Sequence, residues 1–290
     1  MLQWPHMDWF EPSQKSADTR LELRYHGTAG FTLTAQQTTI ILDPYVTRPG
    51  ILRTLLGRLV PNEPLIREVF PKADGVLVGH SHHDHILDAP FVAQSTGAKF
   101  VGSKDAANVA IAAGLPPSQI IETQGREDIK LGAARVRGIP SNHGRVYFNR
   151  VTLPGSIPVP PPWPPRVWDL RHGDVLNWMV EVGGFRVVHI DSAEVIDSEL
   201  EGMTADIVCL CAIGRRHRPG LVESVVKALK PRWIIPCHWD WFFTPYGRPP
   251  PLLPGVNLPG FLDEIRNAGA KPVLLPVGGT FLLSESDLVG

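Results

Sequence analysis

The chain has only three cysteines in 290 residues: Cys209, Cys211 and Cys237. An odd count with no framework spacing excludes a disulfide-stapled secreted scaffold and points to a reducing cytoplasm. Cys209 and Cys211 fall in the apolar run 207–213, as small buried hydrophobes. No apolar run is long enough to span a bilayer. The first fifteen residues lack the basic start and apolar stretch of a secretory signal, so a cytoplasmic location is expected. Neither sign of charge dominates, with 28 Lys and Arg against 29 Asp and Glu. The basic residues are scattered, which argues against a protein that grips nucleic acid by its phosphates. Also missing are a Gly-x-Ser-x-Gly elbow and a glycine-rich phosphate loop. Serine-nucleophile and nucleotide-loop chemistry therefore find no support. Length permits one large domain or two small ones, and no internal repeat is strong enough to read directly.

What is present is His80-Ser81-His82-His83-Asp84-His85, four metal-ligand candidates in the pattern H-x-H-x-D-H. Imidazole nitrogens and a carboxylate suit zinc, iron or manganese. On an extended turn His80 and His82 point to one side and can grip one ion. Asp84 and His85 face away from that pair, toward a second ion. The alternative is a solvated, histidine-rich turn. His83 occupies an x position and is expected to face solvent or to support a ligand.

The first half reads as strands followed by helices. Residues 21–25, 31–34 and 38–42 are short β-type runs. Residues 74–79 form a valine-rich strand that delivers the chain to His80. Residues 87–94 look helical, ended by Gly97. A strand at 99–102, a helix at 105–113 and strands at 128–131 and 134–139 follow, just ahead of His143. The second half repeats the theme. Residues 176–182 and 185–190 pair around Gly183-Gly184, a good hairpin turn, and the second strand ends at Asp191. A buried strand at 207–212 and a helix at 221–229 come next. A strand at 233–236 then runs into Cys237-His238. A helix at 260–268 and strands at 272–275 and 280–283 close the chain. Two strand-and-helix halves, each donating ligands from strand ends, predict an α/β fold: a four-layer α/β/β/α sandwich with the site along one edge.

Two Pro-rich segments, 154–165 and 248–259, can be neither regular helix nor central strand. They read as rigid surface connections, as a ligand for a Pro-binding module, or as substrate-pocket loops starting at the rim after His143 and His238.

A two-metal centre needs more ligands, each at a strand end. His143, Asp191 and His238 are the candidates. The ordered set H-x-H-x-D-H, His, Asp, His resembles the metallo-β-lactamase superfamily over most of the chain. The opening segments His26-Gly27-Thr28-Ala29-Gly30-Phe31 and Ile40-Ile41-Leu42-Asp43-Pro44-Tyr45 look like the branch containing ascorbate-6-phosphate lactonase-like proteins and N-acyl-phosphatidylethanolamine phospholipase D. Where the superfamily usually shows Gly-Asp-Thr-Gly, this chain reads Ile190-Asp191-Ser192-Ala193. The resemblance implies a single αββα hydrolase domain over residues 1–290. It also implies two divalent ions, Zn2+ first and Mn2+ or Fe2+ as alternatives. His80, His82 and His143 would hold one ion, Asp84, His85 and His238 the other, and Asp191 would bridge. Asp43 would support a ligand histidine by a hydrogen bond, the alternative being a turn former before Pro44. His26 and His189 read as satisfied polar histidines.

A hydroxide held between two cations has its pKa lowered toward neutrality and can attack a carbonyl or phosphoryl centre. Asp84 and His217 are candidate proton donors to the leaving group, alongside metal-bound water. Trp239 and Trp241, with Phe242, Phe243 and Tyr246, follow His238. Trp163 and Trp168 precede Asp191, and Trp4, Trp9 and Phe10 form an N-terminal group. Core packing, an apolar substrate wall or a subunit contact are all open for these aromatics. Arg145, Arg215, Arg216 and His217 read as anion contacts at the rim or as solvated charge. The leading expectation is a two-metal hydrolase of a phosphodiester or lactone-like ester, acting on a small-molecule or lipid-like substrate. A nucleic-acid-processing phosphodiesterase and a non-catalytic metal-binding scaffold are the alternatives. Diiron oxygen or nitric oxide chemistry would usually bring a carboxylate in place of His82 and a flavin domain, and the chain has neither. Oligomeric state stays open.

Overall fold

The computed structural model describes Met7, Trp9, Phe10 and residues 15–288. Two seven-stranded mixed sheets lie face to face. In the first, β1 (Thr19–Gly27), β2 (Gly30–Ala35) and β3 (Thr38–Leu42) form an antiparallel meander, with β14 (Thr280–Ser284) on the outer side of β1. Next to β3, the strands β4 (Gly75–Leu77), β5 (Lys99–Gly102) and β6 (Ile120–Glu122) run parallel. The second sheet repeats this plan. Its antiparallel part is β7 (Asp128–Leu131), β8 (Ala134–Ser141), β9 (Val175–Val182) and β10 (Phe185–Ile190). Its parallel part continues from β10 through β11 (Ile207–Cys211) and β12 (Trp233–Cys237) to β13 (Lys271–Pro272).

The sequence explains which faces are buried. In β1, Leu21, Leu23 and Tyr25 alternate with Glu22 and Arg24, so the apolar set faces the opposite sheet. In β11 and β12 every residue is buried, as for parallel strands covered on both sides. The inter-sheet core joins Leu21, Tyr25 and Phe31 to Trp178, Val187 and Leu210. Helices α4 (Ala89–Thr96) and α5 (Lys104–Ala112) cover the outer face of the first sheet through Val92, Ala93 and Val109. Helices α6 (Leu221–Leu229) and α7 (Leu258–Asn267) cover the second. The apolar stripe Leu221, Val222, Val225 and Leu229 lies on the core side of α6. This is the expected αββα sandwich.

Some elements differ from the sequence reading. Helices α1 (Ile51–Leu56) and α2 (Glu63–Val69) and the strand β6 were not anticipated. The signal for α2 is local, since Asn62 accepts the Leu65 N–H and Pro64 sits in the first turn. α1 has no side-chain cap, and its apolar residues do not follow a core-facing stripe. The strand expected at 272–275 pairs with β12 only through Lys271–Pro272. Pro236 therefore lies beyond the end of that pairing, which is how a proline is accommodated in β12. Segment 154–165 is irregular but anchored over α5. Asn108 Nδ2 donates to the Ile157 carbonyl (2.8 Å), and the Ile157 N–H donates to the Asp105 carboxylate. Trp4 lies outside the described residues. Among the described residues, no helix is long and apolar enough to cross a membrane.

Candidate metal centre

Strand direction decides which side chains meet. β8 is antiparallel to β9 and β9 to β10, while β10, β11 and β12 are parallel. The C-terminal ends of β8, β10 and β12 therefore share one edge of the second sheet, and these ends lead into His143, Asp191 and His238. In the first sheet β3 and β4 are parallel neighbours, and their ends lead into Asp43 and His80. The Asp43 N–H donates to the Leu77 carbonyl (3.0 Å), locking the two ends together.

Within the H-x-H-x-D-H segment, His82 is extended and caps the short helix α3 (His83–Ile86). His80 and His82 precede the helix and approach each other, Nε2 to Nδ1, at 3.1 Å. Asp84 and His85 lie on the helix and turn the other way. Asp84 Oδ2 is 3.2 Å from His238 Nε2 and 3.8 Å from His85 Nε2. Three donor groups result, each with its atoms within 4.8 Å: His80, His82 and His143; His80, His85 and Asp191; Asp84, His85 and His238. Asp191 Oδ2 lies 2.6 Å from His80 Nδ1 and 3.5 Å from His85 Nδ1.

Backbone and carboxylate acceptors orient two of these rings. His143 Nδ1 donates to the Gly144 carbonyl (2.7 Å), and His85 Nδ1 donates to Asp43 Oδ2 (2.8 Å). In each the other ring nitrogen is left as a lone-pair donor. Gly79 is required here, because a Cβ on it would lie 2.1 Å from Asp191 Oδ2.

Burial, reinforced by neighbouring imidazoles, holds the pKa of His80, His82 and His85 well below the usual histidine range. All three are neutral at neutral pH, as ligands must be. Burial also raises the Asp84 pKa, but His85, His83 and the His238 hydrogen bond outweigh it and keep the carboxyl ionised. Burial and the adjacent Asp191 push the Asp43 carboxyl up.

The cluster lines a cavity of about 570 Å³. Its remaining walls are largely apolar and include Ile51, Leu55, Ile213, Trp241, Phe242 and Leu253. Trp241 thus stands where a substrate wall was expected. Trp239 does not. It is 2% exposed and packs in the core against Trp9 and Tyr25, with ring centroids 5.4 and 6.0 Å away. His217 is also elsewhere, in the turn Arg215–His217 outside the cavity, where Arg216 Nε donates to its Nε2 (3.1 Å). Arg145 is exposed and does not line the cavity, and Arg215 is tied to Glu264 at 3.0 Å. His83 is buried rather than solvent-facing, because α3 turns it toward Tyr45 and Phe242 at 5.8 and 6.1 Å. Of the Pro-rich segments, 248–259 sends Leu253 and Pro254 to the cavity, and 154–165 sends none. His26 and His189 are held by Thr32 (2.7 Å) and the Ala29 carbonyl (2.8 Å).

One residue escaped the sequence reading. His172 stacks on His143 at 5.5 Å and meets His82 edge-on at 6.0 Å. Its carbonyl accepts the Ser81 N–H (2.9 Å). It precedes β9, which runs opposite to the ligand-bearing strands, so its N-terminal end reaches the same edge. A histidine just ahead of an antiparallel strand was the available signal.

A family model described as Beta-lactamase superfamily domain matches residues 22–238, a span that holds every residue of the cluster. The chain belongs to that superfamily. It is 26% identical over 251 residues to a UPF0173 metal-dependent hydrolase of Anaeromyxobacter dehalogenans, covering 82% of this chain and 81% of the relative. A UPF0173 metal-dependent hydrolase of Symbiobacterium thermophilum is 26% identical over 276 residues, covering 91% of this chain and all of the relative. Among solved structures, the metallo hydrolase Igni18 of Ignicoccus hospitalis superposes with a TM-score of 0.59 at 18% identity. That match covers 91% of this chain and 98% of Igni18, a likeness of fold. For a metallo-β-lactamase superfamily chain, the strand-edge cluster is the expected place for chemistry.

Proposed function

We propose that the protein is a metal-dependent hydrolase that uses two divalent cations to cleave a phosphodiester or lactone-like ester. One observation carries this reading: the three donor groups overlap, His80 and His85 each belonging to two of them, with Asp191 between. The residues fit such ions. His82 Nε2, Asp191 Oδ1 and His238 Nδ1 are buried with no hydrogen-bond partner in the protein. Such orphaned donors are costly unless something binds them. His80, His82 and His143 would hold one cation, Asp84, His85 and His238 the other, with Asp191 bridging. The donor set suits Zn2+ and is compatible with Mn2+ or Fe2+. When bound, such a pair supplies a water of lowered pKa and polarises the ester oxygen.

The chain's own residues do the rest. Asp43 and the Gly144 carbonyl hold His85 and His143 in one tautomer. The apolar walls exclude water and seat the non-reacting part of the substrate. Asp84, ionised before reaction, takes a proton from the attacking water and returns it to the leaving oxygen, so no net proton is consumed. His217 and Arg145 are left outside this scheme by their positions.

The test combines elemental analysis of untreated protein with a hydrolysis screen over phosphodiesters, lactones and thioesters. We expect two ions per chain, with His143→Ala and His238→Ala each losing one. Asp84→Asn should lose turnover by about 10²-fold or more, whereas His217→Ala keeps it. Full turnover after chelation refutes the mechanism. Two bound ions with no hydrolysis of any panel member favours the non-catalytic scaffold.

A further inference from the structure

Helix α1 is built inside out. Its one buried residue is Thr54, whose hydroxyl donates to the Pro49 carbonyl at 3.1 Å. Leu52 and Leu56, by contrast, are 72% and 73% exposed. Ile51 and Leu55 of the same helix line the cavity mouth. Next to the mouth stands the turn after His143. Val146 and Tyr147 line the cavity there, and Phe148 projects 93% exposed. Large apolar side chains this exposed, on two neighbouring projections, mark an interaction surface.

Charge selects the partner. On the side of α1 and the turn after His143 the lining comes from residues 51–55, 146–153, 167, 241–243 and 253–254, and these contain no Asp or Glu. Arg53 and Arg150 lie within these stretches and Arg58, Arg145 and Arg248 within five residues of them, all exposed, and the nearest unburied acids are Glu63, Asp169 and Asp263. The chain as a whole is nearly neutral, at −1, so this face is a local concentration of one sign. A two-fold contact with a second copy centred on this lining would set its arginines against one another. Protruding Leu and Phe side chains ringed by arginines match a bilayer with anionic headgroups instead.

We propose that the cavity mouth docks on an anionic phospholipid surface, with Leu52, Leu56 and Phe148 entering the acyl boundary and the arginines meeting headgroup phosphates. The cavity then opens toward the bilayer, and the substrate is an amphiphilic ester presented from it. This last step rests on the hydrolase reading above. The docking itself does not, and it is tested without turnover.

The experiment is co-sedimentation of the whole protein with sucrose-loaded vesicles of phosphatidylcholine alone, or of phosphatidylcholine with phosphatidylglycerol. The expected result is partition onto the anionic vesicles, weaker on the neutral ones and reduced at high salt. Leu52→Glu, Leu56→Glu and Phe148→Glu together should lower partition about tenfold or more. These side chains are exposed and outside the metal cluster, so thermal melts and metal content should match the parent. Arg53→Gln with Arg150→Gln should remove the anionic preference and leave the weak neutral binding. Equal partition of parent and triple variant overturns the proposal. So does an absence of vesicle binding with a concentration-dependent dimer in sedimentation velocity that the triple variant abolishes, or with capture by an acidic protein alone.

Discussion

His85 Nδ1 lies 2.8 Å from Asp43 Oδ2, while the other oxygen of that carboxylate accepts the Gly79 N–H at 2.7 Å. Asp43 thus ties the ends of two parallel strands to one ring. Asp43→Asn can keep the Gly79 bond, but it turns an amide N–H toward His85 and forces the other tautomer. Affinity for a cation at the proposed site of Asp84, His85 and His238 is expected to fall about 10–100-fold. A cation at the proposed site of His80, His82 and His143 should be less affected. Metal titration with a competing chelator separates the two, and equal weakening of both would contradict this role.

Gly79→Ala is expected to disturb the cluster more than its size suggests. The added methyl would lie 2.1 Å from Asp191 Oδ2 and 2.6 Å from its Cγ, so the carboxylate must move. We expect a stability loss of about 1–3 kcal/mol, with metal content reduced below that of the parent. Urea melts and elemental analysis check both, and full metal content would contradict a bridging role for Asp191.

Arg48 and Asp240 form a buried ion pair at 2.9 Å. Asp240 also accepts from Tyr25 Oη and the Thr28 N–H, both at 2.7 Å. The Thr28 carbonyl in turn accepts the His238 N–H at 2.5 Å. Arg48→Met strands a buried carboxylate, so about 3–5 kcal/mol of stability should be lost. The double variant Arg48→Met with Asp240→Asn should recover part of it. Thermal melts on the set decide. A harmless single change would mean that solvent enters the site.

Acid should destabilise the fold through its buried histidines. Burial, with Arg24 and Arg48 adding, lowers the His26 pKa from 6.5 to about 3. Below 6.5 the unfolded chain takes up a proton that the folded chain refuses. The contribution of His26 is thus present above 6.5 and is lost as pH falls toward about 3. Between pH 6.5 and 4.5 that amounts to about 2 kcal/mol. Asp88, raised by burial to about 6, acts in the opposite sense. The difference between parent and His26→Asn in urea melts isolates the histidine. Parallel pH profiles for the two proteins would refute it.

Much of the candidate site was legible because residue types able to hold a metal are rare at strand ends. The H-x-H-x-D-H run, His143, Asp191 and His238 are such residues, and each follows an apolar strand with a clear period. Asp43 was legible for the same reason. Other features were not readable from position along the chain. Trp239 and Trp241 differ by two residues, a spacing that strand alternation would put on one face, yet one is core and the other cavity wall, because Trp239 packs against Trp9 and Tyr25 while the chain turns directly after Trp241. His217 and Arg145 carry the right chemistry but do not line the cavity.

Local composition determined the strands, the amphipathic helix α6 and the kind of atoms available to hold cations, because backbone periodicity and donor chemistry belong to each residue. Which donors meet was decided by strand direction. Parallel and antiparallel pairing bring the C-terminal ends of β8, β10 and β12 and the N-terminal approach to β9 to one edge, and this alone recruits His172. The same packing left Thr54 inside and Leu52 outside, since burial depends on what another part of the chain places opposite.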